Sequence, residues 1–311
     1  MQQYASHILS NFPVRRKAEE RERFTGYLSW ELRERGYTPR IESGRSGTYS
    51  NVVVGDVEKA KLIFSAHYDT GAREMVPSFL SPTRPVVYLL TQAAIAVALT
   101  LAAFVISFAV TFVLSLPGLT LPMFLVLMAA VMCYPRFAPS SQYTANDNTS
   151  GTAALLELAA ALSPRFRNEV AFAFLDKGAD GAGGARGFAR EHAEVLDQKT
   201  VIDLDCVGSG DTAIFAANKL ARWDGDLLAA LEESFGEKDG MHALVRYEGL
   251  FYFPGDSRKL RNHVAVCTAK RLSGFGYFIS APRTKRGDAL EERNISYIVE
   301  GLKKVIEKYC V

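Results

Sequence analysis

The chain is poor in cysteine. Cys133, Cys206, Cys267 and Cys310 are the only four in 311 residues, and none forms a CxxC pair. That spacing argues against both a thiolate zinc site and a disulfide framework, and it reads as reduced thiols. Net charge is scarce too: 36 Lys and Arg against 34 Asp and Glu leave +2, which gives no electrostatic footprint for nucleic acid. The opening residues are dense in charge and lack an apolar run, so no secretory signal peptide is expected. The sharpest absence is local: between Arg84 and Arg136 there is not one charged residue.

That uncharged stretch divides at Pro117-Gly118, a turn signal. Val86 to Leu116 would extend ~45 Å as a helix at ~1.5 Å per residue, beyond the ~30 Å hydrocarbon core of a bilayer. Leu119 to Tyr134 is a second, shorter apolar run that would reach back. The reading is a transmembrane helical hairpin at 85–135; the plainer alternative is a pair of buried core helices. A hairpin returns both ends to one face. Arg73, Arg84 and Arg136 flank those ends and the 115–122 connection has no charge, which places the polar sequence in the cytoplasm.

Elsewhere, 48% hydrophobic residues suffice for a sizeable core. Arg15 to Arg35 reads as an amphipathic helix stopped at Gly36, and Tyr37 to Ile41, Asn51 to Val54 and Lys61 to Ala66 as strands. Beyond the apolar stretch, helices are expected at Ser150 to Leu162, Gly187 to Val195, Trp223 to Phe235 and Ile295 to Tyr309. Strands are expected at Val170 to Leu175, Val201 to Leu204, Thr212 to Ala216, Val264 to Cys267 and Phe275 to Ile279. This alternation predicts an α/β fold, a three-layer sandwich with a mostly parallel central sheet. The hairpin then interrupts one domain formed from 1–84 and 136–311.

His67-Tyr68-Asp69 follows an apolar strand, and an imidazole with a carboxylate two residues on is a common start of a metal site. Asp147 precedes a helix and Asp205 ends a strand, the edge at which open α/β sheets place their ligands. Taken singly, Asp147 reads as an N-cap and Asp205 as a solvated strand end; together with His67 they make a plausible first shell for zinc.

These pieces resemble the zinc-dependent aminopeptidases of metallopeptidase family twenty-eight. The likeness lies in Ala66-His67-Tyr68-Asp69-Thr70, Asn146-Asp147-Asn148-Thr149-Ser150-Gly151 running into Ala153-Ala154-Leu155-Leu156-Glu157, the strand Val170 to Asp176, Ile202-Asp203-Leu204-Asp205, and the end from Arg283 onward. The resemblance implies two adjacent zinc ions bridged by the aspartate at Asp147. The first ion also takes His67 and Asp205, with Asp69 orienting the imidazole. It further implies an acidic pair, general base and ligand, where this chain has Gly178 and Ala179, and a histidine ligand where it has Arg283. Neither glycine nor alanine takes a proton, and a guanidinium does not ligate zinc. Arg283 instead reads as a substitute for the second cation, neutralising Asp147, or as one of a basic cluster with Lys285 and Arg286.

The expectation is a membrane-anchored, aminopeptidase-like protein holding zinc, one ion at most, with hydrolysis impaired and a peptide or small-ligand binding role. Losing a general base alone costs roughly a hundred- to ten-thousand-fold. The alternative is an active mono-zinc peptidase using Asp176, Asp180 or Glu191 as base. A third reading, nucleotide binding by Gly181 and Gly183, lacks the third fingerprint glycine, since Arg186 stands there. Asp256 is given a supporting role, and Phe251, Tyr252 and Phe253 a pocket or a core strand. His7, His192, His242 and His263 are not expected to ligate. The hairpin reading predicts that tags on the two termini are cleaved by protease from the same side of sealed vesicles; opposite-side cleavage would reject it.

Overall fold

The computed structural model describes the whole chain except residues 1–2, 77–78, 248–254, 275, 281–282, 286–287 and 311. Phe251, Tyr252 and Phe253 therefore lie outside the described residues. The chain opens with α1 (Gln3–Asn11) and α2 (Ala18–Glu34), then β1 (Arg40–Ser43), β2 (Ser50–Val54), β3 (Leu62–His67) and the short β4 (Phe79–Leu80). Two long helices follow, α3 (Pro85–Val113) and α4 (Thr120–Phe137). The remainder runs α5 (Ser150–Ala161), β5 (Val170–Leu175), α6 (Gly183–Glu191), α7 (Ala193–Leu196), β6 (Val201–Leu204) and β7 (Thr212–Ala217). It closes with α8 (Gly225–Ser234), β8 (His242–Tyr247), β9 (His263–Leu272), β10 (Gly276–Ser280) and α9 (Glu292–Tyr309). Gly36, at φ +81°, ends α2 as its sequence suggested.

The strands form one sheet in the order β1-β2-β5-β3-β6-β9-β10-β4, with β7 between β8 and β9. Parallel pairing joins β5, β3, β6 and β9 at the centre, whereas β1, β2, β10 and β4 pair antiparallel. The sheet is thus mixed: β7 pairs antiparallel with β9 and parallel with β8, and the central parallel strands include β3 and β6, whose ends bear on the site. Alternation along these strands sorts side chains to two faces. Phe64, Phe172 and Phe174 join α1, α2, α5, α8 and α9 in the larger core. Ile63, Ala171, Ala173 and Val201 meet Ala185 and Phe188 of α6 on the other face. This gives three layers. Helix α1 and strands β4 and β8 had no clear sequence signal, being short or, in β8, half exposed.

Helices α3 and α4 form an antiparallel hairpin outside this core. They are long and apolar enough to cross a membrane, with mean hydropathy 2.5 and 1.8, and only 11% and 0% of their most apolar windows are buried. They are not buried core helices. Phe112, Val113 and Met132 are 71%, 79% and 77% exposed. What α3 does bury is the small-residue series Ala103, Ser107 and Thr111, four apart on one face, the kind of stripe that lets apolar helices approach closely. Thr111 Oγ1 and Thr120 Oγ1 are 2.7 Å apart, and Phe104 meets Phe124 edge-on at 6.1 Å.

Within α5, Glu157 is 4% exposed and neither carboxyl oxygen has a hydrogen-bond partner among the described residues. Burial pushes its pKa up to about 7. The folded chain then holds a proton that the unfolded chain releases from near pH ~4.3, so this group's contribution falls as pH rises from there to about 7. Glu157→Gln is expected to be near neutral at pH 4 and to stabilise by about 2 kcal/mol at pH 8, read by thermal unfolding at the two pH values.

Candidate metal centre

The carboxyl ends of β3 and β6 lie side by side, and the turn Ala145–Thr149 that leads into α5 crosses above them. Asn148 holds the three together. Its Nδ2 donates to the carbonyls of Leu204 (2.9 Å) and His67 (3.3 Å), while its Oδ1 accepts from the amides of Gly151 (3.1 Å) and Cys206 (3.2 Å). Thr152 Oγ1 adds a bond to the His67 carbonyl at 3.0 Å. Sequence reasoning missed the role of Asn148, because three of its four partners, His67, Leu204 and Cys206, are more than fifty residues away in the chain.

These bonds bring His67, Asp147 and Asp205 to one point. His67 Nε2 is 3.6 Å from Asp147 Oδ1 and 3.7 Å from Asp205 Oδ1, and the three atoms lie within 4.8 Å of one another. Donors about 2 Å from one zinc ion at tetrahedral angles stand ~3.3 Å apart, so a small contraction closes the set. Both Oδ1 atoms are buried with no hydrogen-bond partner among the described residues. Two orphaned carboxylate oxygens aimed at one imidazole nitrogen fit a divalent cation.

Asp69 faces the far side of the ring, its Oδ1 3.2 Å from His67 Nδ1. The amides of Gly178 (2.6 Å) and Ala179 (3.2 Å) donate to its carboxylate and fix it. Burial alone would lower the His67 pKa, but the carboxylates of Asp205 and Asp69 overcome this and hold it well above its ordinary value. A cation must therefore displace a proton from this ring. Arg15, fully buried, lies close by and bonds Tyr68 O, Phe12 O and Thr149 Oγ1. Burial lowers its pKa to about 10, so it stays charged near Asp69 and Asp147.

On the other side of Asp147, Arg283 Nε donates to Oδ2 at 2.7 Å. Its guanidinium lies against Gly71, where a Cβ would fall 2.4 Å from Nη1 and 2.5 Å from Cζ. Burial is the largest influence on the Asp147 pKa and would raise it, but the charges of Arg283, His67 and Arg15 and the Arg283 hydrogen bond together lower the value. Arg283 is thus a bonded partner of Asp147; Arg286, of the basic cluster, lies outside the described residues.

Gly178 lies against the His67 ring. A Cβ there would stand 2.3 Å from His67 Cγ and 2.6 Å from Asp256 Oδ2, so no side chain fits. Asp256 fills that space. It is 3% exposed, its Oδ2 has no hydrogen-bond partner among the described residues, and burial holds its pKa well above the carboxylate range. Sequence reasoning assigned Asp256 only a supporting role, since its proximity to Gly178 joins segments far apart in the chain.

The other acids considered as a base lie elsewhere. Asp176 is paired with Arg21 at 2.9 Å and accepts from the Ser50 amide. Asp180 stands 3.9 Å from Arg16, and Glu191 belongs to a separate group with Glu42 and His192. None of His7, His192, His242 or His263 joins the His67 group.

Comparison with known proteins bears on the family and the fold. Residues 130–263 match the model of Peptidase family M28, a span that includes Asp147, Gly178 and Asp205 but not His67 or Arg283. A comparison with curated protein sequences finds no match. Among solved structures, Porphyromonas gingivalis glutaminyl cyclase superposes with a TM-score of 0.61 at 13% identity, covering 98% of this chain and 96% of that one. A leucine aminopeptidase precursor from Bacteroides thetaiotaomicron gives 0.54 at 13%, covering 97% and 94%. A Zn-dependent exopeptidase from Parabacteroides distasonis gives 0.52 at 14%, covering 97% and 95%. At such identities the likeness to these structures is one of fold.

Two substitutions test the packing described. Arg283→Ala leaves Asp147 buried beside an unmatched space and is expected to cost about 3 kcal/mol in metal-free protein, measured by denaturant unfolding. Gly178→Ala drives a methyl into the His67 ring and is expected to cost about 2 kcal/mol in the same measurement.

Proposed function

We propose that this chain, a member of peptidase family M28, is a membrane-anchored zinc-binding homologue whose peptidase chemistry is impaired and whose site binds a ligand. The observation that carries the reading is the pairing of a convergent His67, Asp147 and Asp205 with a filled second half: Gly178 where a base belongs and Arg283 bonded to Asp147. A zinc ion held by those three side chains would supply Lewis acidity toward a carbonyl or bound water. Asp69 keeps His67 Nδ1 engaged, so that Nε2 presents its lone pair. Arg283 places a fixed positive charge on Asp147 Oδ2, which supports one cation at this centre instead of two. No carboxylate stands at the family's base position to take a proton from water.

One observation favours a second reading, an active mono-zinc peptidase. Asp256, against Gly178, offers a buried carboxyl oxygen without a partner, and in that reading it serves as the base in place of Asp176, Asp180 or Glu191. The two exposed apolar helices support the anchor. The cytoplasmic orientation follows from the arginines at the outer ends of the hairpin.

Metal analysis together with an assay on amino-acyl nitroanilides separates these readings. The expected result is about one zinc per chain, lost in His67→Ala and Asp205→Asn, with no turnover above background. Turnover abolished by both His67→Ala and Asp256→Asn would establish the active reading and overturn ours.

A further inference from the structure

The hairpin and the candidate centre meet at a cavity of about 320 Å³, near the lower end of the ~300–1,000 Å³ range of small-molecule sites. Ile95 and Leu99 of α3 and Val131 and Tyr134 of α4 form one wall and Met75 stands in another, while Arg283 lines its polar end. Arg283 therefore touches both compartments of the molecule: its Nε bonds Asp147 of the centre, and its guanidinium borders the space at the base of the hairpin. Neither terminal nitrogen of Arg283 donates a hydrogen bond to a described residue. The remaining charged lining residues are Arg73 and Glu74, and the Glu74 carboxylate also acts on Arg283.

From this juxtaposition we infer that the cavity binds a single-chain amphiphile with a carboxylate head, drawn from the membrane, its chain between α3 and α4 and its head on Arg283. The inference rests on the anchored reading above and specifies the ligand of the same site. The chemistry of the walls selects the two ends. The aliphatic side chains of Ile95, Leu99 and Val131 offer no polar partner, so they accept only an apolar chain. Donor-only nitrogens at the other end require an acceptor, and a planar guanidinium matches a carboxylate with two parallel bonds.

The position of the cavity supplies the source. Val131 lies six residues before the end of α4, on the side of the hairpin that returns to the α/β domain, and Leu99 lines the same cavity from α3. Beyond them both helices are exposed and apolar, as at Phe104, Phe108 and Val126. A lipid chain lying beside the hairpin reaches the cavity without crossing water. A short water-soluble anion would satisfy Arg283 and leave the apolar walls uncovered.

The test uses the full chain in phosphatidylcholine nanodiscs, with oleate displacing a fluorescent fatty acid. Leu99→Trp, which fills the apolar wall, and Arg283→Gln, which removes the charge, are each expected to weaken oleate at least tenfold. Val113→Trp, at the far end of α3, should leave it unchanged. Butyrate should not compete, and oleyl alcohol should compete at least tenfold more weakly than oleate. Oleate binding unchanged in a Leu99→Trp protein with parental circular dichroism, equal competition by butyrate, or equal competition by oleyl alcohol would each overturn the proposal. Zinc content and flotation of the full chain with vesicles are read on the same samples. Loss of either result with oleate binding intact rejects the zinc or anchor reading and leaves the ligand assignment standing.

Discussion

Two buried aspartates at one imidazole set the constraint on which this molecule depends. Asp147 and Asp205 lose hydration by burial, yet each leaves an oxygen without a donor among the described residues, and an uncompensated buried carboxylate is costly. Positive charge arrives from distant parts of the chain. Arg15, from the segment between α1 and α2, lies near Asp69 and Asp147, its guanidinium bonding the carbonyls of Tyr68 and Phe12 and the hydroxyl of Thr149. Arg283, from the segment before α9, binds Asp147 directly. The two ends of the sequence are thereby tied to the centre of the sheet, and Asn148 ties the sheet to α5.

The hairpin interrupts this domain without disturbing it because its two stems are paired. Ala72 and Ser140 form an antiparallel bridge, the Arg73 amide donates to Pro139 O at 2.9 Å, and the Ser141 amide donates to Gly71 O at 3.0 Å. Residues 72 and 140 thus lie across one ribbon; between them β4 joins the sheet at β10, and the α3–α4 hairpin stands outside the core. Arg16 adds a bond to Pro135 O at 2.9 Å. The stem starts two residues after Asp69 and four after His67, so the insertion and the candidate centre share a border. Gly71 occupies that border, where its lack of a side chain lets Arg283 lie flat.

The proposed loss of peptidase chemistry reads as a replacement more than a deletion. At position 178 the space against His67 is taken by Asp256, and beside Asp147 a guanidinium stands where the family resemblance implied a metal-binding histidine. Each change leaves a packed, charge-matched site. A single reversion would meet a neighbour already in place, as the close approach at Gly178 illustrates.

Much was legible from order and spacing alone. Apolar strands ending in His67, Leu175 and Leu204, the Asn146-Asp147-Asn148 turn before an alanine-rich helix, and the charge-free run from Arg84 to Arg136 each act locally, through strand periodicity, capping chemistry and hydropathy. They gave the layer architecture, the three residues that converge and the hairpin. The roles of Asn148, Asp256 and Gly71 were not legible, because each is defined by what another part of the chain places against it. The sequence by itself determined which side chains end the central strands and that two helices would be apolar on every face. Only the tertiary structure decided that Asp256 occupies the space at Gly178, that Arg283 reaches Asp147 across Gly71, and that the hairpin's base adjoins the candidate centre, since all three depend on close approach between segments far apart in the chain.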